Sequence, residues 1–515
     1  MPAAAQDSAA GTVATPIVSI VPWARYAQDV TRLYHLGGGT PVWLEDLRLS
    51  PSGRAAIDAL LRAGEHGLDP QAYDAESLDS VARRSLRVPL SRIDRDRFDA
   101  LVSVNLIRFL DELQFGRLHP PTLDRGGSDV GIDLAAAIRD AIAGDSIPRL
   151  VSATAPQLAQ YRNLQRLLAR YRALAADSSL GLIAETPPVQ VGVALRRRLA
   201  AVGDLQPDPA ALAEVYTDGD AAAVRRFQAR HGLAQSGVLD SATIAEIDTP
   251  FPRRVRQIEL ALERLRWLPP IGRQRFVVVN IPAFQLFAFD SVGGTGVPAL
   301  SMRVIVGSAL DTRTPVLFER MRYVEFRPYW NVPRSIEVKE IVPLLQRDSN
   351  YLSRNNMEIV GARDSVIGSV VSAEILERLR RGELRVRQRP GAGNALGLAK
   401  FVFPNSAAVY LHGTPRPDLF AQTRRDFSHG CIRVEDPVAL AQWVLRDQPR
   451  WSRSRILAAQ EGPSPRRAWL TRAMPVVIFY TTAVAAPDGS AWFYNDIYGH
   501  DRKLDEALRA GPLSP

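Results

Sequence analysis

The sequence predicts a multidomain α+β protein: a helical N-terminal half, a small three-helix unit, and a mainly-β domain interrupted by a helical insertion. Three observations predict this. The chain has 515 residues, more than one ordinary core organises. Hydrophobic residues make up 46% and charged residues 23%, a composition that folds rather than stays disordered. Apolar positions recur at helical spacing as far as Trp267, then give way to short β-rich runs after Pro269-Pro270.

Residues 1–28 read as a disordered segment. They carry neither a basic n-region nor an apolar h-region, yet Ala3-Ala4-Ala5 looks like the small-residue end of a secretory signal. An exported protein whose leader has been removed is the expectation, with an ordinary cytosolic terminus left open. Residues 29–189 read as a helical domain, resumed at 249–271. Arg48-Leu49-Ser50-Pro51 marks a cap, and Ile57, Leu60 and Leu61 fall on one helix face. Further helical signals lie near 97–115, 131–143 and 156–176. His35, His66 and His119 are scattered, with no metal-ligand spacing.

Residues 190–248 form a second unit. Ala221 to His231 reads as a helix with Val224 and Phe227 inward, stopped by Gly232. Gly237-Val238-Leu239 is a turn, and Asp240 caps a helix from Ser241 to Ile247. Arg253 to Trp267 is strongly periodic. The β-rich domain follows over 272–450, with a hairpin of Phe276–Ile281 and Gln285–Phe289. Strand signals continue at Met302–Gly307, Tyr323–Phe326, Phe401–Phe403 and Val409–His412. The insertion at 333–387 looks helical and serves either as a lid or as a packing appendage. Residues 451–515 read as a C-terminal extension packed on the helical domain of 29–189 or on the β-rich domain.

The net charge of +9 would suit a nucleic acid, an anionic lipid surface or an acidic wall polymer. Lysine, however, occurs only at 339, 400 and 503, so nearly all of the positive charge is arginine, and alanine is abundant. That pairing reflects a GC-rich genome more than a basic patch, so nucleic acid is not an expected partner. No run of about 18 apolar residues occurs, so no transmembrane segment is expected. Gly391-Ala-Gly393-Asn-Ala-Leu-Gly397 faintly resembles a nucleotide loop, but it follows Arg389-Pro390 instead of a strand.

The chemistry-bearing stretch begins with Val409-Tyr-Leu-His412-Gly413-Thr414. A gap of fifteen residues separates His412 from Ser428-His429-Gly430-Cys431-Ile432-Arg433-Val434. The single cysteine excludes an internal disulfide. A thiol is mostly protonated at neutral pH, and a neighbouring imidazole can take its proton. His429 shares a face with Cys431 if the segment is extended and diverges from it on a tight turn. Gly430 permits such a turn, which could aim successive N–H groups at an oxyanion. Asp436-Pro437 then opens a helix. An inert buried cysteine, a zinc site of Cys431, His429 and His412, and a papain-like protease are the competing readings. The last would want an orienting Asn or Asp and a helix-borne cysteine.

The spacing and identity of these residues resemble the L,D-transpeptidase catalytic domain, whose signature is a histidine, a gap of about fifteen residues, then Ser/Thr-His-Gly-Cys. The segments Tyr329-Trp330-Asn331-Val332-Pro333, RQRPGAGNALG at 387–397 and SHGCIRVEDP at 428–437 resemble the large multidomain members from Gram-negative bacteria. The run VRRFQARHGLAQSGVLDSATIAEI similarly resembles a three-helix peptidoglycan-binding module, with Phe227, Gln228 and His231 among the matching positions. A helical spacer without ligand remains the alternative for that unit.

The resemblance implies a catalytic set. Cys431 would be the nucleophile and His412 the base, its ring oriented by the Gly413 carbonyl. His429 would shape the pocket, and the N–H groups of Gly430 and Cys431 would hold the oxyanion. Arg433, Ser428, Tyr410, Trp330 and Asn331 would bind substrate. It implies no metal or organic cofactor, a periplasmic location, and peptidoglycan stem peptides as partners: a donor tetrapeptide and an acceptor stem. Other wall-synthesis proteins are possible partners, and carbapenems are expected covalent inhibitors. The expected reaction is 3→3 cross-linking. Protein attachment to the wall, carboxypeptidase hydrolysis and a non-catalytic wall-binding scaffold are the alternatives.

Overall fold

The computed structural model describes residues 23–45, 48–118, 131–186, 190–206, 216–292 and 296–510. His119 and residues 1–22 of the expected disordered segment lie outside these. Residues 23–28 do not continue that segment: they open helix α1, Trp23–Leu36.

The described residues divide into two compact units, and residues 23–116 with 131–156 form the first. It holds α1, a two-residue ladder of Leu44–Glu45 (β1) and Arg48–Leu49 (β2), and helices α2 Pro51–Leu61, α3 Ala75–Ser85, α4 Arg92–Phe115, α5 Leu134–Ala143 and α6 Ile147–Thr154. Ser50 caps α2 by accepting from the Gly53 N–H, with Pro51 in the first turn, where no N–H is needed. Asp99, in the buried part of α4, accepts from the Val42 and Trp43 backbone N–H groups, so its desolvated carboxylate is fully engaged.

The second unit begins a helix earlier than the 29–189 boundary expected. Helix α7, Ala159–Ala176, belongs here and packs along α11, Phe251–Arg266. Between them lies the small helical unit: α8 Val191–Ala201, α9 Asp218–Arg230 and α10 Ser241–Ile247. Thr217 and Asp220 form a reciprocal capping box at the start of α9, and Asp240 caps α10.

A closed eight-stranded barrel dominates the second unit. Its strands are β3 Phe276–Asn280, β4 Gln285–Phe289, β5 Leu300–Ile305, β6 Leu317–Phe326, β11 Ala399–Val402, β12 Leu411–His412, β13 Ile432–Val434 and β14 Arg466–Phe479. The order around the barrel is β11-β12-β13-β5-β4-β3-β14-β6. The pairs β12–β13 and β14–β3 are parallel and the others antiparallel. Alternate residues such as Val277, Val279, Leu286, Phe401, Leu411, Ile432 and Val476 fill the core.

Two expectations need correction. The C-terminal segment is not an extension beginning at 451, because β14 closes the barrel between β3 and β6. Its first half, Arg466-Arg-Ala-Trp-Leu-Thr-Arg, is arginine-rich and bulged before Met474, which hides the strand pattern. Among the described residues, the hairpin β15 Ala483–Ala485 with β16 Ala491–Phe493 and the helix His500–Ala510 follow the barrel. The insertion, too, is not purely helical. It pairs β7 Trp330–Asn331, β8 Met357–Val360, β9 Val366–Gly368 and β10 Arg385–Gln388 in the order β7-β10-β8-β9, with helices packed on them over a separate core. In β10 a single apolar residue, Val386, sits among arginines, too little for strand alternation to register. Glu337, buried in a π-helical turn, accepts from the Val386 N–H at 2.8 Å and ties helix to sheet.

Candidate functional site

The site is built on neighbouring strands. In the parallel pair β12–β13, His412 lies opposite Arg433; in the antiparallel pair β11–β12, Lys400 lies opposite His412; and β6 places Glu325 opposite Lys400. Directly paired residues share a face of a sheet. A row Glu325–Lys400–His412–Arg433 therefore crosses four strands on the face opposite the apolar core. Tyr410 and Cys431, two residues before His412 and Arg433, extend the same face.

The turn before Cys431 is held from inside. Gly430 has φ +107°, a conformation that favours glycine. Buried Ser428 donates to the Cys431 carbonyl at 2.5 Å and accepts from the Gly430 N–H at 3.2 Å. Thr314, 1% exposed, donates to the Gly430 carbonyl at 2.8 Å and accepts from the Gly307 N–H at 2.8 Å. Thr312 donates to the Ser428 carbonyl at 2.9 Å, and the Tyr498 hydroxyl donates to the Gly307 carbonyl at 2.5 Å. Thr312, Thr314 and Tyr498 have no place in the sequence reading. They lie more than 60 residues from the turn, and only the barrel's closure brings them to it.

Three of the expected roles change. Ser428 is a buried staple of the turn and does not face substrate. The Gly430 N–H is occupied by Ser428, so the expected two-donor oxyanion site keeps only the Cys431 N–H, for which no partner exists among the described residues. His429 diverges from Cys431 at the Gly430 turn: half-exposed, it meets Glu340 of the insertion at 2.8 Å.

Half-buried Cys431 has Tyr410 as an electrostatic neighbour that favours its thiolate. The thiol in turn points to the Ala408 carbonyl, 3.9 Å away. Burial pushes the Cys431 thiol up, and neighbouring Tyr410, Lys400 and Arg433 oppose this. His412 is 4% exposed, and its Nδ1 lies 2.6 Å from the Gly413 carbonyl. A carbonyl only accepts, so Nδ1 carries the proton and Nε2 keeps its lone pair. Burial and then the charge on Arg433 bring the imidazole down to about 3, against the pull of the Gly413 carbonyl. The resting pair is therefore a neutral thiol and a neutral imidazole.

Arg433 is half-buried and has no acidic partner among the described residues. Trp330 and Asn331 stand on β7 in the inserted sheet, where Trp330 joins the insertion's core and Asn331 accepts from Arg385 at 3.3 Å. The structure records no contact from either to Cys431 or His412.

Gly397, dismissed with the nucleotide-like run, has a different use. Its φ is +64°, and a Cβ there would sit 2.7 Å from the Gly413 carbonyl carbon and 2.6 Å from the Thr414 nitrogen. The run packs against the peptide that orients His412. Asn394 holds the run by donating to the Pro328 and Arg389 carbonyls at 3.2 and 3.0 Å.

In the small helical unit, Phe227, Gln228 and His231 are at most 3% exposed. Gln228 bonds the Val238 carbonyl, the Thr243 hydroxyl and the Gly237 N–H, and His231 stacks on Phe227 with ring centroids 3.8 Å apart. These three build the unit's core, and Phe227 and Gln228 line no groove. A groove of about 1100 Å³ lies beside the unit, lined by His231–Gln235, the β3–β4 hairpin and Phe420–Arg425; it includes neither Cys431 nor His412. Among the described residues no three His, Cys, Asp or Glu side chains gather as metal ligands, and no helix is long and apolar enough to cross a membrane.

Comparison with known proteins matches residues 28–168 to the scaffold domain family and residues 193–247 to the family described as "Putative peptidoglycan binding domain". A Haemophilus influenzae protein named "Putative L,D-transpeptidase" is 32% identical over 256 residues, covering 49% of this chain and 49% of that protein. The aligned region thus spans about half the length of this curated relative. Residues 274–478 match the L,D-transpeptidase catalytic domain, the stretch that holds the barrel, Cys431 and His412. The chain thus holds, in order, a region matched by the scaffold domain family, one matched by the peptidoglycan-binding family and one matched by the L,D-transpeptidase catalytic domain family.

Proposed function

We propose that the protein is a peptidoglycan L,D-transpeptidase that works through a Cys431 thioester and forms 3→3 cross-links in the periplasm. The observation that carries this reading is the geometry at β12 and β13: a buried His412 on β12 with Nδ1 fixed by the Gly413 carbonyl, and Cys431 one residue before β13, where Arg433 pairs with His412. Peptidoglycan as substrate agrees with the three domain families.

In the first half-reaction His412 Nε2 takes the thiol proton as Cys431 Sγ attacks the carbonyl carbon of the third residue of a donor tetrapeptide stem. The carbonyl oxygen becomes an oxyanion that the Cys431 N–H receives. Collapse breaks the bond to the terminal D-alanine, whose amine leaves with the proton from His412. In the second half-reaction the side-chain amine on the third residue of an acceptor stem attacks the thioester and gives its surplus proton to His412. The cross-link forms, and the thiolate leaves and regains the proton. This is ping-pong acyl transfer. Arg433 offers an unpaired cation for a stem carboxylate. The scheme uses no cofactor. Carbapenems would acylate Cys431 through the same attack.

The test is D-alanine release from a disaccharide-tetrapeptide by wild type and Cys431→Ala, with products separated by mass. Release by wild type alone with a 3→3 dimer supports the full reading. Release with free tripeptide, or with tripeptide joined to a protein amine, would place the same thioester in carboxypeptidase or protein-attachment chemistry. Equal release by Cys431→Ala would reject the nucleophile. Wall binding without release by either protein would leave a non-catalytic scaffold.

A further inference from the structure

Only three of the 64 Lys and Arg residues are lysine, and one of them, Lys400, stands beside the candidate nucleophile. It lies opposite His412 on one side and Glu325 on the other. Its Nζ sits 3.8 Å from the centroid of the Tyr410 ring. The Tyr410 and His412 ring centroids are 5.7 Å apart, and the Tyr410 phenol is an electrostatic neighbour of Cys431. Glu325 is the acidic neighbour, and Arg467 pairs with it at 2.9 Å. The charged or titratable groups facing Lys400 are thus Glu325 on β6, Arg467 on β14, His412 and Tyr410 on or beside β12, and Cys431 beside β13, with Arg433 one strand beyond, opposite His412.

We propose that Lys400 is a positioning residue for the reaction: its ammonium, seated on the Tyr410 ring, holds the phenol against Cys431 and polarises the O–H so that it stabilises the thiolate formed during attack. An ammonium over an aromatic face is attracted by the ring quadrupole and withdraws electron density from the phenol oxygen, which makes its O–H a stronger donor. A thiolate appearing in this half-buried site then meets a strengthened hydrogen bond with a cation behind it. The neutral resting pair makes such help necessary, because His412 is too weak a base to supply a thiolate before substrate arrives.

The inference rests on Cys431 as the nucleophile, but its test does not need turnover. Iodoacetamide alkylation of Cys431, followed by intact mass from pH 6 to 9.5, reads the thiolate fraction directly. Lys400→Met is expected to slow alkylation at pH 7.5 about tenfold, with unchanged melting temperature and no added loss in a Tyr410→Phe background. Lys400→Arg is expected to recover most of the rate, and to hold it at the alkaline end, where an ammonium loses its proton and a guanidinium does not. Wild-type rates in Lys400→Met would overturn the proposal. So would equal slowing in Met and Arg variants with a lowered melting temperature, or an equal Lys400→Met loss with and without Tyr410. A wild type that shows the Lys400 dependence yet releases no D-alanine would reject the transpeptidase reaction and leave this inference standing.

Discussion

Gly397 lies against the Gly413 peptide so closely that a Cβ on it would come within 2.7 Å of the Gly413 carbonyl carbon. That carbonyl is the one that holds His412 Nδ1 at 2.6 Å. Gly397→Ala must move one backbone or the other, and it must also place alanine at a φ of +64°. The expected outcome is a fall in kcat of about hundredfold with little change in KM, since a misplacement near 1 Å costs about that much. D-alanine release kinetics, with circular dichroism as a folding control, check it; an alanine variant with wild-type kcat would mean that the Gly413 carbonyl does not set the ring.

Thr314 bridges the Gly430 carbonyl and the Gly307 N–H from a fully buried position. Thr314→Val keeps the shape and removes both bonds, leaving two backbone groups unpaired. The expected cost is about 2–4 kcal/mol in urea unfolding, together with loss of most activity as the turn before Cys431 loosens. Thr314→Ser keeps the hydroxyl and should recover most of both.

The two histidines of the site should separate sharply on mutation. His412 is buried with its tautomer fixed, whereas His429 is half-exposed and paired with Glu340 across solvent-accessible space. His412→Ala is expected to reduce acyl-enzyme formation by about 10³-fold or more, within the range for losing a general base. His429→Ala should stay within about tenfold and cost under about 1 kcal/mol of stability, as exposed ion pairs do. Rapid-quench mass spectrometry of the acyl-enzyme distinguishes them; equal losses would contradict the assignment.

Acid should destabilise the fold through its buried imidazoles. Burial brings His412 down to about 3 and His500 to about 4, and takes His231 well below its ordinary value of 6.5. The unfolded chain therefore binds protons near pH 6 that the folded chain refuses. The stability they contribute is full above about pH 6.5 and is lost as pH falls towards those lower values. Each imidazole contributes a loss of about 1.4 kcal/mol per pH unit below 6. The urea midpoint should be lower at pH 5 than at pH 7.5; an equal or higher one would contradict burial of these rings in neutral form.

How much was legible in the sequence follows from how local each signal is. The β3–β4 hairpin, the Asp240 cap, the Gly430 turn and the His412–Gly413 pair rest on neighbouring residues, and periodicity or residue chemistry reveals them. Strand β14 was obscured by its arginines and bulge, and the inserted sheet by strands of two to four residues. The roles of Ser428 and of the Gly430 N–H turn on which atoms the turn buries, which a motif does not encode. Gly397, Lys400, Thr314 and Tyr498 reach the site only through barrel closure. Of these, Lys400 left a trace, as a rare lysine in an arginine-rich chain, and Gly397 left one, as a glycine at the end of a run already singled out.

The most direct test of Cys431 as the nucleophile is intact-protein mass after incubation with a carbapenem, with wild type beside Cys431→Ala. The account predicts one covalent adduct on wild type and none on the variant. No adduct on wild type, or the same adduct on both, would contradict it.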